Sequence, residues 1–86
     1  MWIVYLLQHS ATAERYIGLT ADIERRLKEH NSPRNRDSTH RVNGEWRMRY
    51  CEMYLDRDDA AVREMRLKRH GRAKQELLKR VARCLL

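Results

Sequence analysis

Phenylalanine is absent from this chain, proline occurs once and glycine three times. Cys51 and Cys84 are the only cysteines. Two thiols without metal-type spacing read as incidental residues of a reduced, cytoplasmic protein. No apolar run approaches the length a bilayer demands. The longest, Trp2-Ile3-Val4-Tyr5-Leu6-Leu7, also lacks a basic flank, so neither a membrane span nor a secretory leader is expected. Internal repeats and low-complexity tracts are missing as well.

Charge, by contrast, is abundant. With 36% charged and 42% hydrophobic residues, the composition suits a packed core under a charged surface rather than disorder. The 86 residues leave room for a single domain, taken as 1–86. The net charge of +7 is unevenly placed. Residues 1–62 carry ten Lys/Arg against ten Asp/Glu, whereas residues 63–86 carry nine Lys/Arg against Glu64 and Glu76 alone. A one-sided basic surface suits a polyanion whose phosphates it neutralises; the plainer reading is a solvated basic helix.

Hydrophobic patterning predicts an α+β fold in the order β-β-α-β-α-α. The Trp2–Leu7 run, rich in β-branched and aromatic residues, reads as a central strand buried on both faces. Arg15-Tyr16-Ile17-Gly18-Leu19 reads as a second strand, joined antiparallel by a short turn. A symmetric register would set Tyr5 opposite Tyr16 and Ile3 opposite Gly18, leaving a gap beside the glycine for close approach of a ligand or phosphate. Thr20 is the expected N-cap of a helix that runs to His30 and stops at Asn31-Ser32-Pro33. On that helix Ile23, Leu27 and His30 share a stripe. Arg26 and His30 lie one turn apart at its edge, and Arg25, Lys28 and Glu29 point elsewhere. Asn31 to Gly44 is a polar loop with Arg34, Arg36, His40 and Arg41. Trp46 to Leu55 is a third strand bulged near Cys51. Asp56 opens a second helix to Arg69. Gly71 breaks it, and Arg72 to Leu85 forms a third helix with Leu77, Leu78, Val81 and Leu85 inward.

Two tyrosines, an arginine, a histidine and a carboxylate suffice for phosphodiester hydrolysis. The reaction needs a deprotonated water, charge neutralisation at phosphoryl oxygens and help for the departing oxygen. A phenol is a poor base unless a cation such as Arg26 lowers its pKa. Glu64, on a largely apolar stripe with Ala60, Ala61 and Met65, calls for a partner or a metal ion. Each residue also has a plainer reading. Tyr5 and Tyr16 would pack across a hairpin and Arg26 would be a surface charge. His30 would compensate a helix dipole, and Glu64 would pair with Arg63 or Arg66.

The order and close spacing of Val4-Tyr5-Leu6, Tyr16-Ile17-Gly18 and Arg26-x-x-x-His30 resemble the GIY-YIG nuclease family. The likeness is to its small stand-alone bacterial members, related to the nuclease domain of the DNA-repair excinuclease, and runs from Trp2 to about Leu78. Gly44-Glu45-Trp46, Arg63-Glu64 and Leu67-Lys68 add to it. The resemblance implies a central three-stranded antiparallel sheet flanked by helices, and one Mg2+ or Mn2+ ion. By position, Tyr5 would act as general base or orient water, and Tyr16 would hold the nucleophile or scissile phosphate. Arg26 would stabilise charge on that phosphate, His30 would position or relay a proton, and Glu64 would bind the metal. Ile3 stands at the first motif's glycine. No asparagine follows Glu64 where many members carry one, and Lys68 is the conjectural stand-in.

The leading expectation is a metal-dependent DNA endonuclease, structure- or damage-selective or weakly specific. Arg34, Arg36, His40, Arg41, Lys68, Arg69 and Arg72 would contact the nucleic acid, RNA included among the candidates. The alternatives are a non-catalytic nucleic-acid-binding module of the same fold, and a subunit whose basic C-terminal helix docks on a protein partner or a second copy.

Overall fold

The apolar N-terminal run becomes the middle strand of a three-stranded antiparallel sheet. The structure is a computed structural model and describes residues 1–32 and 44–85. β1 (Trp2–His9) lies between β2 (Arg15–Thr20) and β3 (Trp46–Tyr54), in the order β2-β1-β3. Helices α1 (Ile23–His30), α2 (Arg57–Arg69) and α3 (Gly71–Arg80) flank the sheet, so the fold is α+β as patterned. Among the described residues, no helix is long and apolar enough to cross a membrane.

Alternation along β1 divides the core into two layers. Val4 and Leu6 pack with Ile17, Ala60, Leu67, Leu77 and Val81 beneath α2 and α3. Ile3, Tyr5 and Leu7 face the other way, against Tyr16, Ile23, Leu27, Trp46 and Cys51. Burial on both faces explains why the run carries no polar alternation before Gln8.

The hairpin register departs from the symmetric one. Tyr5 pairs with Gly18, Leu7 with Tyr16 and Ile3 with Thr20. The displacement is even, so both tyrosines keep the same face. Its cause is the turn. His9, only 5% exposed, accepts at Nδ1 from the Ala11 and Thr12 amides (3.2 and 3.4 Å), and the fully buried Gln8 donates from Nε2 to the Ala13 carbonyl (3.1 Å). These polar anchors extend the ladder to a His9 N–Glu14 O bond of 2.8 Å. Ala13 adopts φ 61°, a conformation that strains a side-chain-bearing residue by about 1–2 kcal/mol. Allowing for the extra chain entropy of glycine, Ala13→Gly should stabilise the fold by roughly 0.5–1 kcal/mol, read as a rise in melting temperature.

Several expected boundaries shift. Asp22, not Thr20, caps α1: its side chain accepts from Arg25 N at 3.1 Å. Thr20 is still paired in β2, and its hydroxyl closes the preceding turn by accepting from Asp22 N (3.1 Å). The irregularity in β3 sits at Arg49, since Leu6 pairs with Tyr50 and Leu7 with Met48, while Cys51 pairs regularly with Tyr5. Asp56 caps α2 through Asp59 N (3.0 Å). The break after α2 falls at His70, and Gly71 is the first residue of α3. α3 ends at Arg80, capped by Val81, rather than at Leu85, with a short 3-10 turn over Ala82–Cys84. Leu77 and Val81 are buried, and Leu78 and Leu85 pack at the margin. Met65 is 43% exposed, so the inward face of α2 is Ala60 and Leu67 rather than the Ala61–Met65 stripe. Pro33 and the expected loop through Arg34, Arg36, His40 and Arg41 lie outside the described residues.

A polar lock fixes how α2 is turned against the sheet. Glu52 lies opposite Val4, on the α2 side. It accepts from Arg63 Nε and Nη2 (2.9 and 3.0 Å) and from the hydroxyls of Tyr50 and Tyr54 (2.9 and 2.8 Å). Burial alone would raise the carboxyl, but the Arg63 fork and the Tyr54 and Tyr50 hydroxyls outweigh it and hold Glu52 below the usual carboxylate range. Glu52 therefore contributes stability that is complete above its unfolded pKa and is lost as pH falls through the lower folded value. Glu52→Gln should cost about 2 kcal/mol at pH 7 and flatten the acid limb of stability, measured by urea unfolding between pH 3 and 7.

Candidate active site

The charged edge of α1 meets the tyrosine face of the hairpin. Ile23 and Leu27 seat the helix on the Ile3–Tyr5–Leu7 layer. That contact leaves the adjacent edge, with Arg26 and His30 one turn apart, over the tyrosines. Asn31, the residue that ends α1, clamps this end of the helix to β3. Its side-chain oxygen accepts from Trp46 N (2.8 Å) and its nitrogen donates to Trp46 O (3.1 Å).

Tyr5 is the centre of the group and is 1% exposed. Its hydroxyl oxygen accepts from Arg26 Nε (3.3 Å) and lies 3.2 Å from His30 Nε2. The His30 pKa is lowered, first by desolvation and then by the Arg26 charge. A neutral imidazole in its Nδ1–H tautomer would accept the Tyr5 O–H at Nε2, completing a network from Arg26 N–H to the Tyr5 oxygen and from the Tyr5 O–H to His30. Burial raises the Tyr5 pKa; the hydrogen bond and charge of Arg26 oppose this without overcoming it. Arg26 thus does not turn Tyr5 into a phenolate, and the group acts as a hydrogen-bonded phenol.

Tyr16 completes an aromatic wall. Its ring meets His30 edge-on at 4.5 Å between centroids and tilts against Tyr5 at 6.2 Å. Trp46 stands edge-on to Tyr16 at 6.4 Å and 6.3 Å from His30. The gap expected beside Gly18 is already filled. Because the register sets Gly18 opposite Tyr5, a Cβ there would overlap the Tyr5 hydroxyl and ring and come within 2.9 Å of Tyr16 Cε1. Glycine is required for the phenol, not for a ligand. Glu29 also differs from expectation: its carboxylate accepts from Arg26 Nη1 at 2.9 Å instead of pointing elsewhere. Tyr5 first, then Glu29, hold the guanidinium firmly charged.

Glu64 and Lys68 enter from α2. Glu64 lies close enough to Tyr5 to raise its pKa slightly. It pairs with Lys68, one turn on, at 3.4 Å rather than with Arg63 or Arg66, whose i−1 and i+2 positions leave the helix in other directions; Arg63 turns to Glu52. The Lys68 ammonium lies over the Tyr16 ring, 5.7 Å from its centroid. The five candidates Tyr5, Tyr16, Arg26, His30 and Glu64 therefore face one region. Of the expected nucleic-acid contacts, Lys68 borders it, Arg69 ends α2, and Arg72 pairs with Glu76 on α3 (3.3 Å). Among the described residues, no three His, Cys, Asp or Glu side chains gather as a metal cage. A lone, mostly screened carboxylate suits a hydrated Mg2+ or Mn2+ ion, which keeps most of its waters.

Pattern reading missed Asn31 and Trp46 as supports of the site. Asn31 looks like an ordinary helix stop, and nothing in its neighbourhood signals a partner so far along the chain.

Comparison with known protein families gives a match to the family model described as the GIY-YIG catalytic domain, over residues 1–77. Neither the curated proteins nor the solved structures compared with the chain include a match.

Proposed function

The chain belongs to the GIY-YIG catalytic-domain family, and from that premise we propose that it is an endonuclease hydrolysing phosphodiester bonds in DNA with one Mg2+ or Mn2+ ion. The reading extends to a structure- or damage-selective or weakly specific enzyme, akin to the small stand-alone bacterial members related to the DNA-repair excinuclease. The observation that carries it is the relay from Arg26 through Tyr5 to His30, built on two separate elements and walled by Tyr16 from a third.

Each side chain has work suited to its state. Tyr5, whose hydroxyl lies within hydrogen-bond distance of His30 Nε2, would orient the attacking water, take its proton and pass its own to His30. Tyr16 would hold the scissile phosphate by its hydroxyl. Arg26 would stabilise the charge that grows on the phosphoryl oxygens. Glu64 would hold the metal ion, which supplies Lewis-acid stabilisation of the leaving oxygen when bound. Lys68, Arg69 and Arg72 would follow the backbone and make binding salt-dependent.

Nicking of supercoiled plasmid tests the proposal, with branched and abasic duplexes and RNA as further substrates. Cleavage with Mg2+ or Mn2+, abolished by EDTA and by Glu64→Gln, is the expected result. DNA binding without cleavage by any divalent ion would instead assign a non-catalytic binding module. Because His30 must be neutral to take a proton, kcat/KM should fall on the acid side with an apparent pKa below 6.5, and His30→Gln should remove that limb.

A further inference from the structure

Among the described residues, Lys68 is the one cation placed against both Glu64 and an aromatic member of the site, and the relay described above has no task for it. Its ammonium stands 3.4 Å from the Glu64 carboxylate and 5.7 Å from the centre of the Tyr16 ring. Glu64 is mostly screened, with its side chain 23% exposed, whereas Lys68 is 46% exposed. The pair is therefore anchored at the carboxylate end and free to move at the lysine end.

We infer that Lys68 is an exchangeable counter-ion: it neutralises Glu64 while no divalent cation is bound and transfers to a phosphate oxygen of the substrate once one is. The inference rests on the endonuclease reading and assigns the residue a role in it. An ammonium and a divalent cation repel each other across a few ångströms, so one carboxylate does not hold both closely. Displaced from Glu64, Lys68 remains near Tyr16, the side chain proposed to hold the scissile phosphate. Lysine suits such a move because its charge is compact and its stem has four flexible carbons. Arginine would grip the carboxylate with a planar fork. Arg26 does not make this exchange, since its Nε and Nη1 hold it against Tyr5 and Glu29 rather than against Glu64.

Two couplings follow: Lys68 weakens metal binding in the free protein and strengthens the hold on DNA in the loaded one. Mn2+ titrated into the DNA-free protein, with unbound ion followed by electron paramagnetic resonance, reads the first. Lys68→Met should tighten Mn2+ binding roughly five- to tenfold, whereas Lys68→Arg, which keeps the charge, should not. Nicking at saturating Mn2+ and the salt dependence of DNA binding read the second. For Lys68→Met, KM should rise, and the slope of log Kd against log salt should become shallower by about one. Unchanged Mn2+ affinity in Lys68→Met, or an unchanged salt slope, overturns the inference even where the wild-type protein nicks DNA and Glu64→Gln does not. If the wild-type protein neither binds Mn2+ nor nicks DNA, the inference falls together with the endonuclease reading.

Discussion

Replacing Arg26 with alanine should lower metal-dependent nicking by about three orders of magnitude while the protein stays folded. Two roles are lost together. In the proposed reaction the guanidinium would stabilise the charge growing on the phosphate, and donors of that kind contribute about 10²–10⁵ in rate. It also bonds Tyr5, so its removal frees the phenol from one of its two partners. Folding should survive, because the arginine sits at a helix edge and its ion pair with Glu29 is partly exposed, where such pairs are worth about 0.3–0.5 kcal/mol. Arg26→Lys should restore little, since a point charge does not reproduce the Nε bond to Tyr5. A melting temperature within a few degrees of wild type, measured beside the nicking rate, separates lost chemistry from lost structure. Nicking unchanged in Arg26→Ala would remove this cluster as the site of reaction.

The second large effect is expected where no functional group is touched. Gly18→Ala adds one methyl to an edge strand, usually a mild change. Here the methyl overlaps the Tyr5 hydroxyl and crowds Tyr16 Cε1. Tyr5 is 1% exposed and held by Arg26 and His30, so its ring has no empty space to enter. Overpacking of this kind costs about 1–3 kcal/mol. A displacement of the phenol by about 1 Å would reduce the rate roughly a hundredfold, because the relay depends on its placement. The distinguishing result is a nicking rate that stays low at temperatures where circular dichroism shows the variant fully folded. A folded variant with wild-type nicking would mean that the phenol's position does not matter.

The Glu52 lock bears on the site without touching it. Successive helical residues are rotated by about 100°, so fixing Arg63 against the sheet also fixes the direction in which Glu64 leaves α2. Nothing in the sequence around Glu52 announces this. The guanidinium partner of Glu52 stands on the next helix, eleven residues on, out of reach of any local pattern.

Much of the frame was legible because it depends on local periodicity. The two-sided Trp2–Leu7 run, the Tyr16-Ile17-Gly18 strand, the spacing of Arg26 and His30, and the Asp56 start of α2 each follow from a strand period of two, a helical period of 3.6, or a cap next in the chain. These patterns, with the motif order, were enough to bring out the likeness to the GIY-YIG family and to single out the five polar residues. Tertiary structure decided what local pattern leaves free. It set the hairpin register, through the buried Gln8 and His9 that hold the turn, and so placed Gly18 under Tyr5. It kept Tyr5 a phenol, because burial outweighs the arginine beside it. And it gave Arg63 to Glu52, a pairing made only when a helix docks against a sheet, whereas the Glu64–Lys68 pair one turn apart on α2 follows from helical spacing alone.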